Sequence, residues 1–276
     1  MNLLCVDIGN THTHFGCVVD DGSLKVDSMP SRALESDRNP LTRLLEHPGP
    51  DSETIEGLAC CSVVPDLNPH LLRTFAAIRP GLPRFLLTHR AGLGLPLTYP
   101  APETIGPDRL ANAAGAQFLH GAPAIIVDAG TAVTCDVITP DGGFEGGIIA
   151  PGVGLMRHYL HDRTVLLPML ENDDHPVGAI GKSTIEAMQL GCALGFRGMI
   201  EAFIAALRRD LAARGMKHPK VIVTGGTAHL LISLTTPAPI HVPDLTLRGL
   251  HRAFLLNPAS ESRIPPDECS WTPESP

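Results

Sequence analysis

Apolar residues run unbroken through Leu3-Leu4-Cys5-Val6, give way to a Gly-Asn-Thr turn at 9–11, and resume in HFGCVV at 14–19. A short continuous apolar run closed by a glycine turn reads as a buried strand with its hairpin partner. A second turn is expected at Asp20-Asp21-Gly22, which makes SLKVDSMP (23–30) a third strand. Residues 40–47 have helical spacing, IEGLACCSVV (55–64) reads as a buried strand, and Asn68-Pro69 starts a helix through NPHLLRTFAAI. The Pro- and Gly-rich stretch 80–108 reads as loop and short strand. DRLANAAGAQFLH (108–120) is a helix of small residues suited to close packing.

The opening pattern then returns. AIIVDAGTAVTCDVITPDGG (124–143) has the plan of NLLCVDIGNTHTHFGCVVDDG (2–22). Asp128 falls on Asp7, Gly130 on Gly9 and Thr134 on Thr13, while the Asp-Gly turn comes one residue early, at 141–142 against 21–22. Two copies of strand, Asp-x-Gly turn, strand, Asp-Gly turn and strand imply a duplicated α/β domain. The division falls near 115–122, giving lobes at 1–118 and 119–257 and a polar, Pro-rich tail at 258–276 that is expected to be poorly ordered.

After the repeat, FEGGIIAPG (144–152) reads as a strand ending in an Ala-Pro-Gly loop, with a helical segment from 153. A long helical stretch begins at KSTIEAM, where Ser183 and Glu186 form a capping box. Gly191, Gly195 and Gly198 interrupt it and mark a bend or a close helix crossing, within the chain or between subunits. KVIVTGGTAHLL (220–231) reads as strand, glycine turn and helix.

Composition narrows the function classes. A length of 276 residues with 43% hydrophobic and 18% charged residues describes a globular chain with a sizeable core. Aromatic residues at 4% and a net charge of −8 without a Lys/Arg cluster argue against a nucleic-acid partner. No apolar run approaches the roughly 18 residues that span a bilayer, and the N-terminus lacks a basic signal-peptide region, so no membrane association is expected. The seven cysteines form no CxxC pair and lie mostly in apolar stretches. They read as reduced, buried thiols of a cytoplasmic protein, and Cys60-Cys61 as core rather than redox residues.

Candidate chemistry centres on the repeated turns. Consecutive backbone N–H groups in such turns form anion-binding nests, and glycine lets a phosphate approach closely. A carboxylate beside a phosphate needs a cation or water between them, so Asp7 and Asp128 fit a metal-bridged nucleotide phosphate. The competing possibility is a metal on His12 and His14, which share one strand face at i, i+2. No third ligand of fixed spacing follows, and zinc sites usually need three or four.

DIGNTHTHFG, DAGTAVTCD and VTGG resemble the two phosphate motifs and the adenosine motif of the superfamily of acetate and sugar kinases, heat-shock chaperones and actin. Within it, TIGPDRLAN (104–112), GGIIAPG (146–152), RTVLLP (163–168), GKSTIEAMQLG (181–191) and VPDLTLRGL (242–250) closely resemble type III pantothenate kinases. The resemblance runs in order from residue 3 to about 257. It implies duplicated ribonuclease-H-like (actin-like ATPase) lobes with an interlobe cleft. It also implies transfer of the ATP γ-phosphate to pantothenate, giving 4'-phosphopantothenate, the first step of coenzyme A biosynthesis. The residues implied for ATP are Asp7, Ile8, Gly9, Asn10, Thr11, His12, Thr13, His14, Thr131, Gly225 and Gly226. Asp108 would be the general base, and Tyr99, Gly106, Pro107, Asp108 and Arg109 would contact pantothenate, together with Thr184 from the neighbouring subunit of a homodimer. Asp128 would hold a monovalent cation, potassium or ammonium. Magnesium would accompany ATP, with Asp7 and Asp136 in its outer shell.

Some features compete with this reading. Asp108 could instead cap the helix RLANAAGA, although capping and catalysis are compatible. GKST at 181–184 imitates a P-loop, but that motif needs glycine where Pro176 stands, so Lys182 reads as a surface or dimer-contact residue. His158 and His161 read as a solvated helix face, and Asp173-Asp174 as loop charge. A non-catalytic nucleotide-binding regulatory homologue is the alternative function. Retention of Asp108 weighs against it.

Overall fold

The unbroken apolar runs become the central strands of two mixed sheets. The computed structural model describes residues 1–19, 24–36, 39–46, 55–170, 178–234, 237–258 and 263–264. The turn expected at 20–22, the acidic pair 173–174, Pro176 and most of the tail lie outside them.

In the first sheet, β1 (Leu3–Ile8), β2 (His12–Val18) and β3 (Leu24–Pro30) form an antiparallel meander. Helix α1 (Pro40–Glu46) precedes β4 (Gly57–Ser62), which runs parallel to β1. Helix α2 (Asn68–Ile78) leads to β5 (Arg84–Leu86), parallel to β4. Helix α3 (Pro107–His120) follows the long loop.

The second sheet repeats the plan. Strands β6 (Ala124–Ala129) and β7 (Ala132–Thr139) are antiparallel, and β8 (Gly143–Pro151) pairs with β7. Helices α4 (Val153–Asp162) and α5 (Thr184–Ala213) come before β9 (Lys220–Thr224), which is parallel to β6, and β10 (Ile240–His241), parallel to β9. Helix α6 (Leu245–Leu256) and β11 (Arg263–Ile264), which pairs with β5, close the described chain. The strand orders β11-β5-β4-β1-β2-β3 and β10-β9-β6-β7-β8 share one core arrangement, with the repeated strand at its centre.

Strands covered on both faces have no polar side, which is why β1, β4 and β6 read as continuous apolar runs. One face of the first sheet packs Val6, Ile8 and Phe15 against Leu41, Leu45, Leu71 and Phe75 of α1 and α2. Its other face is covered by α6 and α3. Those two helices cross closely through glycine: a Cβ at Gly249 would lie 1.8 Å from the Ala111 carbonyl oxygen, and one at Gly115 would lie 2.7 Å from that of Leu245. In the second sheet, Ile125, Val127 and Cys135 pack on Cys192, Phe196, Ile200 and Ile204 of α5.

The chain packs as two compact units. The first comprises Met1–Gly121, Asp141–Phe144 and the chain from Asp244 onward; the second comprises Ala122–Pro140 and Glu145–Pro243. Helix α6, to which the sequence pattern assigned no element, thus packs in the first unit although it follows the second repeat.

Helix α5 corrects two expectations. It runs unbroken through Gly191, Gly195 and Gly198. It also contains an 18-residue window of mean hydropathy 1.6, long and apolar enough by composition to span a bilayer. The stretch 182–215 reads as one long helix, but residues such as Arg197 and Glu201 break any continuous apolar run within it. Its buried side chains serve the second core, as in a packing helix of a folded unit. At its start the Ser183 hydroxyl accepts the Glu186 N–H at 3.2 Å, and the Glu186 carboxylate accepts the Lys182 N–H at 2.6 Å. The box closes one residue earlier than the usual N-cap reciprocity.

Candidate active site

In the first unit, Asp7 is the one residue of β1 that is not fully buried. It pairs with His14 on β2 and with Cys61 on β4, so the three stand in a row across adjacent strands. The Cys61 thiol donates to Asp7 Oδ1 at 3.2 Å. Burial, then the charges of Asp7 and Asp108, push that thiol well above its ordinary pKa, so it stays a protonated donor.

The turn after β1 is shaped from inside. The Gly9 N–H donates to the His12 carbonyl at 3.1 Å, and a Cβ at Gly9 would meet the same oxygen at 2.8 Å. Buried Thr13 donates to Ser31 Oγ at 3.1 Å, and Ser31 donates to the Gly9 carbonyl at 2.6 Å. Ile8 and Thr13 therefore face inward, and the Thr13 hydroxyl is spent on the turn. Asn10, Thr11, His12 and His14 remain exposed. Desolvation, then the neighbouring His12, lowers the pKa of His14. Among the described residues, no group of three or more His, Cys, Asp and Glu side chains could hold a metal ion.

Asp108 lies in the first turn of α3. Gly106 occupies the N-cap without a side-chain cap bond and Pro107 follows, so the capping role considered for Asp108 is not the one found. Instead Asp108 Oδ1 accepts the Arg109 N–H at 2.8 Å, a donor in the first turn that the Gly106 carbonyl also accepts at 3.0 Å. A Cβ at Gly106 would lie 2.5 Å from that oxygen, so the carboxylate folds back over a position that only glycine leaves open. Burial pushes the Asp108 carboxyl above its ordinary value, against the opposing pull of the Arg109 amide and charge. A carboxylate that is costly to keep ionised is a stronger proton acceptor, as a general base requires.

Arg109 is buried, with its guanidinium carbon 5.4 Å from the centre of the Phe144 ring. Tyr99 meets the same ring edge-on at 6.1 Å. Thus Tyr99, Gly106, Asp108 and Arg109, distant from Asp7 in sequence, belong to the same unit, and the Asp108 charge reaches Cys61 beside Asp7.

In the second unit, three turns converge on the Asp-x-Gly motif. Gly130 N–H donates to the Ala132 carbonyl at 3.1 Å, and Gly152 N–H to that of Thr131 at 3.0 Å. A Cβ at Gly152 would lie 2.3 Å from the Gly130 carbonyl oxygen. Gly225 adopts φ +91°, and a Cβ there would lie 2.5 Å from Asp128 Oδ1. The Thr227 N–H and hydroxyl both donate to the Ala129 carbonyl, at 3.0 and 2.9 Å. Gly226 has open space around it. Asp136 is buried and pairs with Ile126, on the strand face that Thr134 and Asp128 share. Asp128 pairs with Thr134 as Asp7 does with His14, because the second turn is one residue shorter. Thr134 therefore takes the place of His14 and not of Thr13; the early Asp-Gly turn at 141–142 was the sequence sign of this.

Thr184 is the exposed first residue of α5, and Lys182 is exposed nearby. His161 is not simply solvated: its Nδ1 donates to the Leu167 carbonyl at 2.9 Å, tying RTVLLP to α4. A cavity of about 770 Å³ opens between α4 and α5, lined by Leu155, Met156, Tyr159 and Cys192 among others. None of the turn residues lines it. Sequence reasoning missed Ser31, Cys61 and Phe144. The β1–β4 register would have revealed Cys61; Ser31 and Phe144 carried no local signal.

Known proteins resemble this chain over most of its length. The family model for type III pantothenate kinase matches residues 3–206. A type III pantothenate kinase from Akkermansia muciniphila is 39% identical over 259 residues, covering 93% of this chain and all of that one. One from Caulobacter vibrioides is 35% identical over 273 residues, covering 95% of this chain and all of that one. Among solved structures, a Baf family protein from Campylobacter jejuni superposes with a TM-score of 0.58 at 21% identity, over 92% of this chain and 98% of the other. A ROK family glucokinase from Streptomyces griseus, in complex with glucose and AMPPNP, gives 0.52 at 12% identity over 94% and 100%. Both likenesses speak to the fold, two α/β sheets of the sugar-kinase kind. With three quarters of its length matched by the family model and full-length relatives above 30% identity, the chain belongs to the type III pantothenate kinase family.

Proposed function

We propose that the chain phosphorylates the primary hydroxyl of pantothenate with ATP, with Asp108 as the general base. The single observation that carries the assignment is the placement of Asp108: a carboxyl made more basic by burial, next to a buried arginine and in the unit that holds Asp7. Phosphoryl transfer asks mainly for positioning and charge neutralisation. The hydroxyl becomes a competent nucleophile as Asp108 accepts its proton. Arg109 pairs with the pantothenate carboxylate, and Tyr99 and Gly106 complete the wall around it.

The turns at 7–14 and 128–134 are the phosphate-binding elements, offering backbone N–H groups with Asn10, Thr11, His12 and Thr131 beside them. Open space at Gly226 supports an approach of adenosine. Asp7 and Asp128 offer carboxylate oxygens, the donors that hard cations prefer, while protonated Cys61 is no ligand. When bound, magnesium at Asp7 through water and a monovalent cation at Asp128 would neutralise phosphate charge.

A homodimer completes the pantothenate site through Thr184 of the partner subunit. Support comes from exposed apolar side chains on and around α4 and α5: Tyr159 is 64% exposed, Leu194 55%, Val165 98% and Leu166 88%. A cytoplasmic location is supported by the free, buried state of all six described cysteines.

The test is direct. Purified protein with ATP, magnesium, potassium and pantothenate should yield 4'-phosphopantothenate, and Asp108→Asn should lower the yield by about 10²-fold or more with the fold intact. A folded wild type that leaves pantothenate unchanged across several cations sinks the reading.

A further inference from the structure

We propose that Phe144 is a positioning residue for the pantothenate site, holding Arg109 and Tyr99 on the two aspects of one ring. The proposal rests on the pantothenate reading above and adds a residue to it.

Phe144 is wholly buried. The Arg109 guanidinium lies over its face at 5.4 Å, and the Tyr99 ring meets it at 60° with centroids 6.1 Å apart. An aromatic ring is electron-rich on its face and electron-poor at its edge, so one ring can attract a cation on its face and orient a second ring nearby.

The backbone makes this arrangement deliberate in the physical sense: it is built by several bonds at once. The Phe144 N–H donates to the Pro96 carbonyl at 2.9 Å, and the Thr98 N–H donates to the Phe144 carbonyl at 3.2 Å. The Thr98 hydroxyl donates to the Gly142 carbonyl at 2.9 Å. Gly143 takes φ +63°, and a Cβ there would lie 2.0 Å from the Pro96 carbonyl oxygen. The strand segment 142–144 and the loop 96–99 are thus locked together. Phe144 is the last residue of the short stretch Asp141–Phe144 that the second repeat contributes to the first unit. A buried arginine left without such a seat has many rotamers. One held over a ring presents its planar fork in a fixed direction, which a carboxylate ligand requires.

The experiment replaces Phe144 with phenylalanine carrying one, two or three ring fluorines. Shape is nearly kept while the attraction for a cation weakens step by step. The KM for pantothenate should rise progressively, about three- to tenfold across the series. The KM for ATP and the melting temperature should stay level. In an Arg109→Gln background, pantothenate binding by calorimetry should no longer respond to fluorination. Phe144→Leu, if folded, should raise the pantothenate KM further. A flat series in an enzyme that turns over pantothenate overturns the positioning role and leaves the kinase reading standing. A pantothenate KM that rises equally in the Arg109→Gln background shows the ring acts by packing alone, and also overturns it. A wild type without pantothenate turnover removes both readings.

Discussion

Cys61 Sγ sits 3.2 Å from Asp7 Oδ1 and donates its proton to that carboxylate, joining the ends of β4 and β1. The bond fixes one oxygen of Asp7 and so the orientation of its carboxylate. Cys61→Ser preserves a donor of similar reach and should retain most activity. Cys61→Val fills the space without a donor and should raise the KM for magnesium-ATP about tenfold or more, in line with about 1.5–3 kcal/mol for a hydrogen bond to a charged group. Equal kinetics for the two variants would exclude this role. The native thiols should also react slowly with alkylating agents, because burial pushes Cys60 to about 12 and Cys61 well above its ordinary value.

As the proposed general base, Asp108 would set the pH behaviour. Its folded-state pKa is raised, so the ionised form that accepts a proton is lost at higher pH than for an ordinary carboxylate. The acid limb of kcat/KM for pantothenate should therefore lie above the normal carboxylate range. The stability sign follows: above the raised pKa, holding the buried carboxylate ionised destabilises the fold, and the cost fades as pH falls through that pKa. Asp108→Asn should lower turnover by about 10²- to 10⁴-fold and raise the melting temperature at neutral pH. The stability gain should vanish in acid. A variant that is less stable than wild type at neutral pH would contradict the assignment.

Much of this arrangement was legible in the chain because it is local. A continuous apolar run, an Asp-x-Gly turn and its repetition specify strand, turn and duplicated sheet, and the helix of small residues did announce its close crossing. What stayed hidden depends on pairings distant in sequence. Cys61 matters only once β4 lies parallel to β1, and Phe144 only because Gly143 docks against Pro96. The placement of α6 followed from Gly249 meeting Ala111, a contact that no periodicity encodes. Thr13 stands among the residues the resemblance implies for ATP, but its hydroxyl donates to Ser31, the residue after β3. The glycines of α5 looked like interruptions by propensity, and tertiary packing overrode it.

Gly225 and Gly226 separate conformation from contact. Gly225 needs φ +91° and leaves no room for a Cβ beside Asp128, whereas Gly226 has neither constraint. Gly225→Ala should cost about 2 kcal/mol or more and lower the melting temperature. Gly226→Ala should leave melting within about a degree and raise only the KM for ATP, through the methyl group placed where adenosine approaches. Thermal melting and ATP kinetics on both variants check this. If Gly226→Ala leaves ATP kinetics unchanged, the adenosine assignment at that position fails.

The apolar surface on α4 and α5 yields the last prediction. Leu194 and Tyr159 are more than half exposed although α5 is strongly apolar, so a second copy covering them would bury area that water now meets. Leu194→Arg places an unpaired charge in that face and should convert the protein from dimer to monomer by sedimentation, with its melting transition retained. Because Thr184 would act across the interface, the monomer should lose pantothenate turnover even though Asp108 and Arg109 are untouched. Subunit mixing sharpens the test. Asp108→Asn and Thr184→Trp chains, each inactive alone, should regain activity when co-refolded, because a mixed dimer holds one site with both residues intact. A fully active Leu194→Arg monomer, or no recovery on mixing, would place Thr184 outside the reaction.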